Sequence, residues 1–137
     1  MSWSTFEHQA DLGLQVDAPD GATLFAEAGL AYFATVCDLE HVEERAVYEL
    51  SGEAAGVEEL LVDWLNDLVF LFEGGGTVCR RIVFPEWSPV RYRAELHGEP
   101  ADPRRHGLRD VVKAATYHGL TVHQDASGWH ARVILDV

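Results

Sequence analysis

The chain has 137 residues, 47% hydrophobic and 24% charged, the balance of an ordinary globular protein and not of a disordered tail, and its length suits a single domain over residues 1–137. Ten Lys and Arg against 23 Asp and Glu leave a net charge of −13, which excludes direct gripping of nucleic acid, where Lys and Arg must neutralise phosphates. The two cysteines, Cys37 and Cys79, exclude a disulfide framework or a four-thiolate zinc centre; both are expected to be small core residues.

From the N-terminus, Leu12, Leu14 and Val16 alternate with Gly13 and Gln15 as in a half-buried strand, which ends at the turn formers of residues 17–21. Leu24, Phe25, Ala28, Ala31, Tyr32 and Val36 then recur with helical period, and Thr23 stands in the N-cap position. Residues 46–51 read as a strand with Ala46, Tyr48 and Leu50 on one face. Residues 57–72 form a second helix, apolar around most of its circumference, with Glu59, Asp63, Asn66 and Asp67 as its one polar strip. Such a helix requires cover from a sheet and from the first helix. Glu73-Gly74-Gly75-Gly76 predicts its end through left-handed glycines. The Lys-Ser/Thr ending of a phosphate-binding loop is missing there.

Residues 78–84 and 90–98 alternate as strands across a turn from Pro85 to Pro89. A loop containing Pro100, Pro103, Arg104 and Arg105 leads to residues 108–117, which fit either a short helix or a strand. Residues 120–122 and 129–135 finish as strands around a turn at residues 125–128. The expected fold class is α+β: a single domain, mostly antiparallel sheet with two helices packed on one face. The apolar run at residues 60–72 is interrupted by Asp63, Asn66 and Asp67, so it does not suit a membrane span. No basic start followed by an apolar stretch marks a leader, and a cytoplasmic protein with no membrane partner is expected.

No His-Glu-x-x-His or other paired histidine spacing occurs among the seven histidines, and no Gly-x-Ser-x-Gly elbow. No catalytic residue is therefore assigned. Asp11 precedes the first alternating strand, and Asp136 closes the last one beside the carboxylate of Val137. If those strand ends are neighbours, three negative groups converge, an arrangement that a cation would relieve. Hard oxygen donors suit Ca²⁺, Mg²⁺ or Mn²⁺. By residue type a solvated pair of strand-end acids is the plainer account, and the cation site is the alternative. The polar strip of the second helix reads as a solvent-facing surface or as a docking edge for a basic partner. Arg80, Arg81, Arg91 and Arg93 are expected to balance nearby acids. By residue type alone, Lys113 reads as a solvated lysine and His118 as a structural histidine.

Four segments resemble the archease family. Phe6-Glu7-His8-Gln9-Ala10-Asp11-Leu12-Gly13 is similar to its opening motif, an acidic residue followed by His-Thr-Ala-Asp-Ile-Gly. Leu60-Leu61-Val62-Asp63-Trp64-Leu65-Asn66-Asp67-Leu68 resembles its central helix. Val112-Lys113-Ala114-Ala115-Thr116-Tyr117-His118-Gly119-Leu120 resembles its Lys-Ala-x-Thr-Tyr-His segment, and Leu135-Asp136-Val137 its Asp-Ile terminus. The matches fall in order and span essentially the whole chain.

The resemblance implies an accessory protein, not an enzyme: an activator of an RtcB-type RNA ligase of tRNA splicing and RNA repair. Such a ligase joins RNA ends using GTP and Mn²⁺, and archease promotes its guanylylation and multiple turnover. GTP and RNA would then meet this chain only through the ligase. The resemblance also implies a bound divalent cation, most readily Ca²⁺ with Mg²⁺ or Mn²⁺ as alternatives, held by Asp11, Asp136 and the Val137 carboxylate. Lys113 matches a lysine implicated in activation; His8, His118 and Asp63 lie in the same motifs. Gln9 stands where the family has threonine, and Val137 where it has isoleucine. Two readings from other classes compete: a metal-dependent phosphohydrolase using Asp11 and Asp136, and a chaperone-like binding module acting through apolar surface. The first lacks a general base or nucleophile beside those acids.

Overall fold

The computed structural model describes residues 2–8, 11–109 and 112–137, with the side chains of Phe6, Glu7 and His8 left outside the description. In chain order the elements are β1 (Ser2–His8), β2 (Asp11–Ala18), α1 (Gly21–Val36), a 3₁₀ turn (Leu39–His41), β3 (Ala46–Glu53), α2 (Val57–Glu73), β4 (Thr77–Ser88), β5 (Arg91–Pro100), α3 (Pro103–His106), β6 (Ala114–Asp125) and β7 (Gly128–Asp136). The expected α+β class holds, and the described strand pairs are antiparallel. The strands divide into two sheets, β1-β2-β7-β6 and β3-β5-β4. The helices serve both. Helix α1 packs on β2 and on β4, while α2 packs on β6 of the first sheet and on β3 and β4 of the second.

Helix α1 begins one turn earlier than Thr23 suggests. Asp20 is the N-cap, its side chain accepting from the Thr23 N–H at 2.7 Å, and Asp is favoured over Thr in that position. At its other end the Arg109 guanidinium donates to the carbonyls of Ala34, Thr35 and Cys37 and pairs with Asp38. A cation there satisfies carbonyls that no helical N–H can reach, and it ties the segment entering β6 to the helix end.

Helix α2 buries Leu60, Leu61, Val62, Trp64, Leu65, Leu68, Val69 and Phe72, which the all-round apolar pattern required. Trp64 is fully buried, and its indole N–H donates to the Phe25 carbonyl at 2.8 Å, so a large apolar side chain enters the core without an orphaned donor. Phe84 and Tyr92 stack edge-on against it. The glycine ending is partly as expected: Gly74 caps the helix in a right-handed conformation, and the left-handed residue is Gly76 at φ 61°.

Strand β1 is an element that the sequence pattern did not suggest, and the turn expected from Pro85 to Pro89 lies later in the chain. Strand β4 continues through Pro85 to Ser88, and the chain reverses between Ser88 and Arg91. The register shifts between Val83 and Glu86, so the proline that lacks an N–H sits in a bulge, where no ladder bond is demanded of it. Strand β6 likewise extends past its predicted ends: the ladder to β7 is interrupted between Thr116 and Thr121 and then resumes. The loop containing Pro103 closes into the single turn of α3, capped by the Asp102 side chain. Cys37 and Cys79 are free and buried as expected. Among the described residues, no helix is long and apolar enough to cross a membrane.

Candidate functional site

Strand β2 starts at Asp11 and β7 ends at Asp136, and their ladder pairs Leu12 with Leu135. One further step along that register sets Asp11 against Asp136. Directly opposed residues hold their Cβ atoms about 4.5–5.5 Å apart. Asp11 is half-buried, whereas Asp136 and Val137 are exposed. Two more strands reach the same edge. On one side β1 ends with His8 in register with Asp11, although the His8 side chain lies outside the described residues, as does Gln9. On the other side β6 begins with Ala114 opposite Asp136, and the Lys113 N–H donates to the Asp136 carbonyl at 2.7 Å. The Lys113 side chain is exposed. Segments remote in the chain thus bring Asp11, Asp136, Lys113 and the His8 position to one end of the four-stranded sheet.

The polar strip of α2 supports this end. The Asn66 carboxamide spans Ala115, accepting from its N–H at 2.8 Å and donating to its carbonyl at 3.3 Å, so the helix holds the first turn of β6 in place. Asp67 accepts from the Tyr92 hydroxyl at 2.8 Å. Burial raises the Asp67 carboxyl above its ordinary value, the Tyr92 hydrogen bond opposes that rise, and neighbouring Asp63 adds to it. Asn66 and Asp67 therefore serve the fold, which the reading of the strip as one solvent-facing or docking surface did not distinguish. Glu59 and Asp63 remain exposed. Helix α2 packs on β6, and the Tyr117 hydroxyl in the β6 bulge is pushed up by burial and then by the charges of Asp63 and Glu59. His118 lies within that bulge, exposed, away from the Asp11–Asp136 edge.

Of the four arginines expected to balance acids, Arg81 pairs with Glu44 at 2.7 Å and Arg91 with Glu53 at 3.1 Å, while Arg80 donates to the Val42 carbonyl at 3.1 Å. The buried cluster at Glu99 gave no signal in the sequence. Glu99 accepts from the Glu43 N–H, bonds His106 at 2.9 Å and pairs with Arg105. The Asp102 N–H donates to His106 Nδ1 at 2.8 Å, so the proton of a neutral ring resides on Nε2, toward Glu99. The absence of paired histidine spacing also misleads: β6 and β7 set His123 opposite His130 with ring centres 5.1 Å apart.

At the Asp11–Asp136 edge the side chains can offer carboxylate oxygens, hard donors that fit an alkaline-earth cation better than zinc. Two carboxylates set opposite one another across a ladder repel, and a divalent ion between them would relieve that repulsion.

The comparisons with known proteins agree over the full length. Residues 3–137 match the Archease protein family. The chain is 34% identical to protein archease of Methanopyrus kandleri over 140 residues, covering all of both chains, and 31% identical to that of Methanosarcina mazei, covering 96% of this chain and 92% of that one. The solution structure of protein 1598 of Methanobacterium thermoautotrophicum superposes with a TM-score of 0.74 at 27% identity, over 98% of each chain. A crystal structure of a Thermotoga maritima archease, described as a possible chaperone, shares the fold with a TM-score of 0.55 at 20% identity, over 96% of this chain and 94% of that one. The chain belongs to the archease family.

Proposed function

We infer that this protein is a non-catalytic, cytoplasmic partner of an RtcB-type GTP-dependent RNA ligase, promoting the ligase's guanylylation and its multiple turnover in tRNA splicing and RNA repair. Family membership supports the reading, and the observation that carries it is the arrival of the Asp11 and Asp136 strand ends, one step beyond the Leu12–Leu135 pair, beside Lys113. Asp11, Asp136 and the Val137 carboxylate would hold one divalent cation, Ca²⁺ by donor chemistry, with Mg²⁺ or Mn²⁺ as alternatives. Bound there, the ion would supply coordination positions for oxygen ligands, because three protein donors fall short of the six to eight that calcium takes. The Lys113 backbone anchors Asp136 and so fixes where its side chain leaves β7. The exposed Lys113 ammonium and His8 would meet the ligase at that edge, and Asp63 and His118 would extend the contact along α2 and the β6 bulge. A net charge of −13 would steer the protein toward the basic RNA-binding face of the ligase. GTP and RNA are bound by the ligase alone.

The test is ligase turnover with GTP, with and without this protein. Addition of the wild type should convert single into multiple turnover, Asp136→Ala should abolish the effect, and rising salt should weaken it as charges are screened. Undiminished stimulation by Asp136→Ala would defeat the cation part, and salt-independent stimulation the steering part. Phosphate or nucleotide release by this protein alone would favour the phosphohydrolase reading. Suppression of client aggregation without metal would favour the chaperone reading.

A further inference from the structure

The four-stranded sheet carries a second cluster at the end remote from Asp11 and Asp136. Register along β2 and β7 runs without interruption from Leu12–Leu135 to Asp17–His130 and Ala18–Trp129. Side chains alternate between faces with period two, so Asp17 and His130 share the face of Asp11 and Asp136, about 20 Å away along the strand. Strand β6 adds His123, paired directly with His130, and Asp125, which opens the turn between the strands. The nitrogens of His123 and His130 and a carboxylate oxygen of Asp125 all lie within 4.8 Å of one another. His130 Nε2 stands 3.0 Å from Asp125 Oδ1, and His123 Nε2 stands 3.9 Å from Asp125 Oδ2. Tetrahedral zinc with bonds near 2.0–2.1 Å needs ligand atoms about 3.3 Å apart, close to these contacts, which the two oxygens of the Asp125 carboxylate make separately.

The second ring nitrogen of His130 supplies an independent observation. Nδ1 bonds Asp17 Oδ1 at 2.7 Å, which turns Nε2 toward Asp125 and His123. A carboxylate on the far nitrogen of an imidazole is the arrangement that orients a ligating histidine and raises its basicity. The three groups face an open cleft of about 280 Å³ that Thr121, Ser127 and Arg132 also line, so the reach of an ion from solvent is unobstructed.

We propose that His123, Asp125 and His130 form a second metal site, for a borderline transition cation of the zinc class, with Asp17 as the positioning residue and a fourth position left to water. Two imidazoles and one carboxylate select such an ion over calcium, which takes oxygen donors. This chemistry separates the site from the acid pair at the other end of the sheet, and the proposal stands whether or not that pair holds an ion.

The experiment is a Co²⁺ titration of the full chain, followed by the visible absorption of tetrahedral cobalt and by its displacement with Zn²⁺. The wild type should develop that absorption at one equivalent, and Zn²⁺ should abolish it. His123→Ala removes an exposed ligand whose ring faces His130 and Asp125 and leaves the Asp125–Ser127 hydrogen bonds of the turn in place, so far-UV dichroism should be unchanged and the absorption lost. Asp125 also accepts from the Ser127 N–H and hydroxyl, so its removal is the less clean variant. Asp17→Asn should weaken binding roughly tenfold or more. Asp136→Ala should leave absorption and affinity as in the wild type. Absence of tetrahedral absorption in the wild type, its survival in His123→Ala, or its loss in Asp136→Ala in place of His123→Ala would overturn the proposal.

Discussion

Asp11 and Asp136 stand on neighbouring antiparallel strands one register step beyond the Leu12–Leu135 pair, with the Asp136 carbonyl held by the Lys113 N–H at 2.7 Å. Opposed like charges weaken a ladder by a few tenths of a kcal/mol up to about 1 kcal/mol, and the proposed cation would relieve that repulsion. Thermal unfolding with Ca²⁺ and with a chelator measures it. Ca²⁺ at a hundredfold excess over its Kd should stabilise the wild type by about 2.7 kcal/mol. Asp136→Asn should lose that gain and equal or slightly exceed the wild type in chelator. An equal gain in both proteins would show that the ion binds elsewhere.

Asn66 links the core helix to this edge through its two hydrogen bonds with Ala115. Asn66→Ala leaves the Ala115 backbone groups without those partners, at a cost of about 1–3 kcal/mol. The loosened start of β6 should also lower Ca²⁺ affinity, because the same strand entry anchors Asp136. Denaturant unfolding and a Ca²⁺ titration of one preparation report both effects. Wild-type values in each would remove Asn66 from the support of the site.

Glu99 and His106 are buried together, with Arg105 at the cluster's rim. Burial pushes the Glu99 carboxyl up, but the Glu43 N–H, the His106 ring and Arg105 outweigh it and hold the group below its ordinary value of 4.5. A carboxyl lowered in the folded state stabilises fully above its unfolded value and loses that contribution as pH falls through the folded one. Glu99→Ala leaves the Glu43 N–H and the buried His106 ring without their acceptor and should therefore cost about 1–3 kcal/mol at neutral pH, and its deficit against the wild type should shrink as the pH drops below 4.5. Urea unfolding across that range gives the answer; a deficit that grows on acidification contradicts the assignment.

Burial raises the Cys37 thiol to about 11, and burial with the nearby Cys37 raises Cys79 to about 12. Neither forms appreciable thiolate at neutral pH, and the thiolate is the reactive species. A thiol-specific chromogenic reagent should label neither in the native protein and both after denaturation. Rapid labelling of the native chain would place a cysteine at the surface.

Much of the local structure could be read from the residues because short-range periodicity encodes it. The helix expected over residues 57–72 is found at Val57–Glu73, and the strand ending before the turn of residues 125–128 and the one following it are also present. Where a local breaker argued against continuation, the prediction failed. Pro85 does not end β4, because the bulge relieves it of a ladder bond and the pairing with β5 continues beyond. Lys113 and Asp136 could be singled out by motif, but the hydrogen bond between them could not.

By itself, the sequence determined the α+β class, the buried faces of α1 and α2, the burial of both cysteines and the family, all of which follow from residue types at fixed short spacings or from ordered motifs. Tertiary structure alone decided that the strands form two sheets sharing the helices, that Asp11 and Asp136 both lie one step beyond the Leu12–Leu135 pair, that Asn66 clamps β6, and that His123 meets His130. Strand pairing is the physical reason. Which residues stand across a ladder depends on the register between separate segments, and one residue of slip exchanges every side chain between faces.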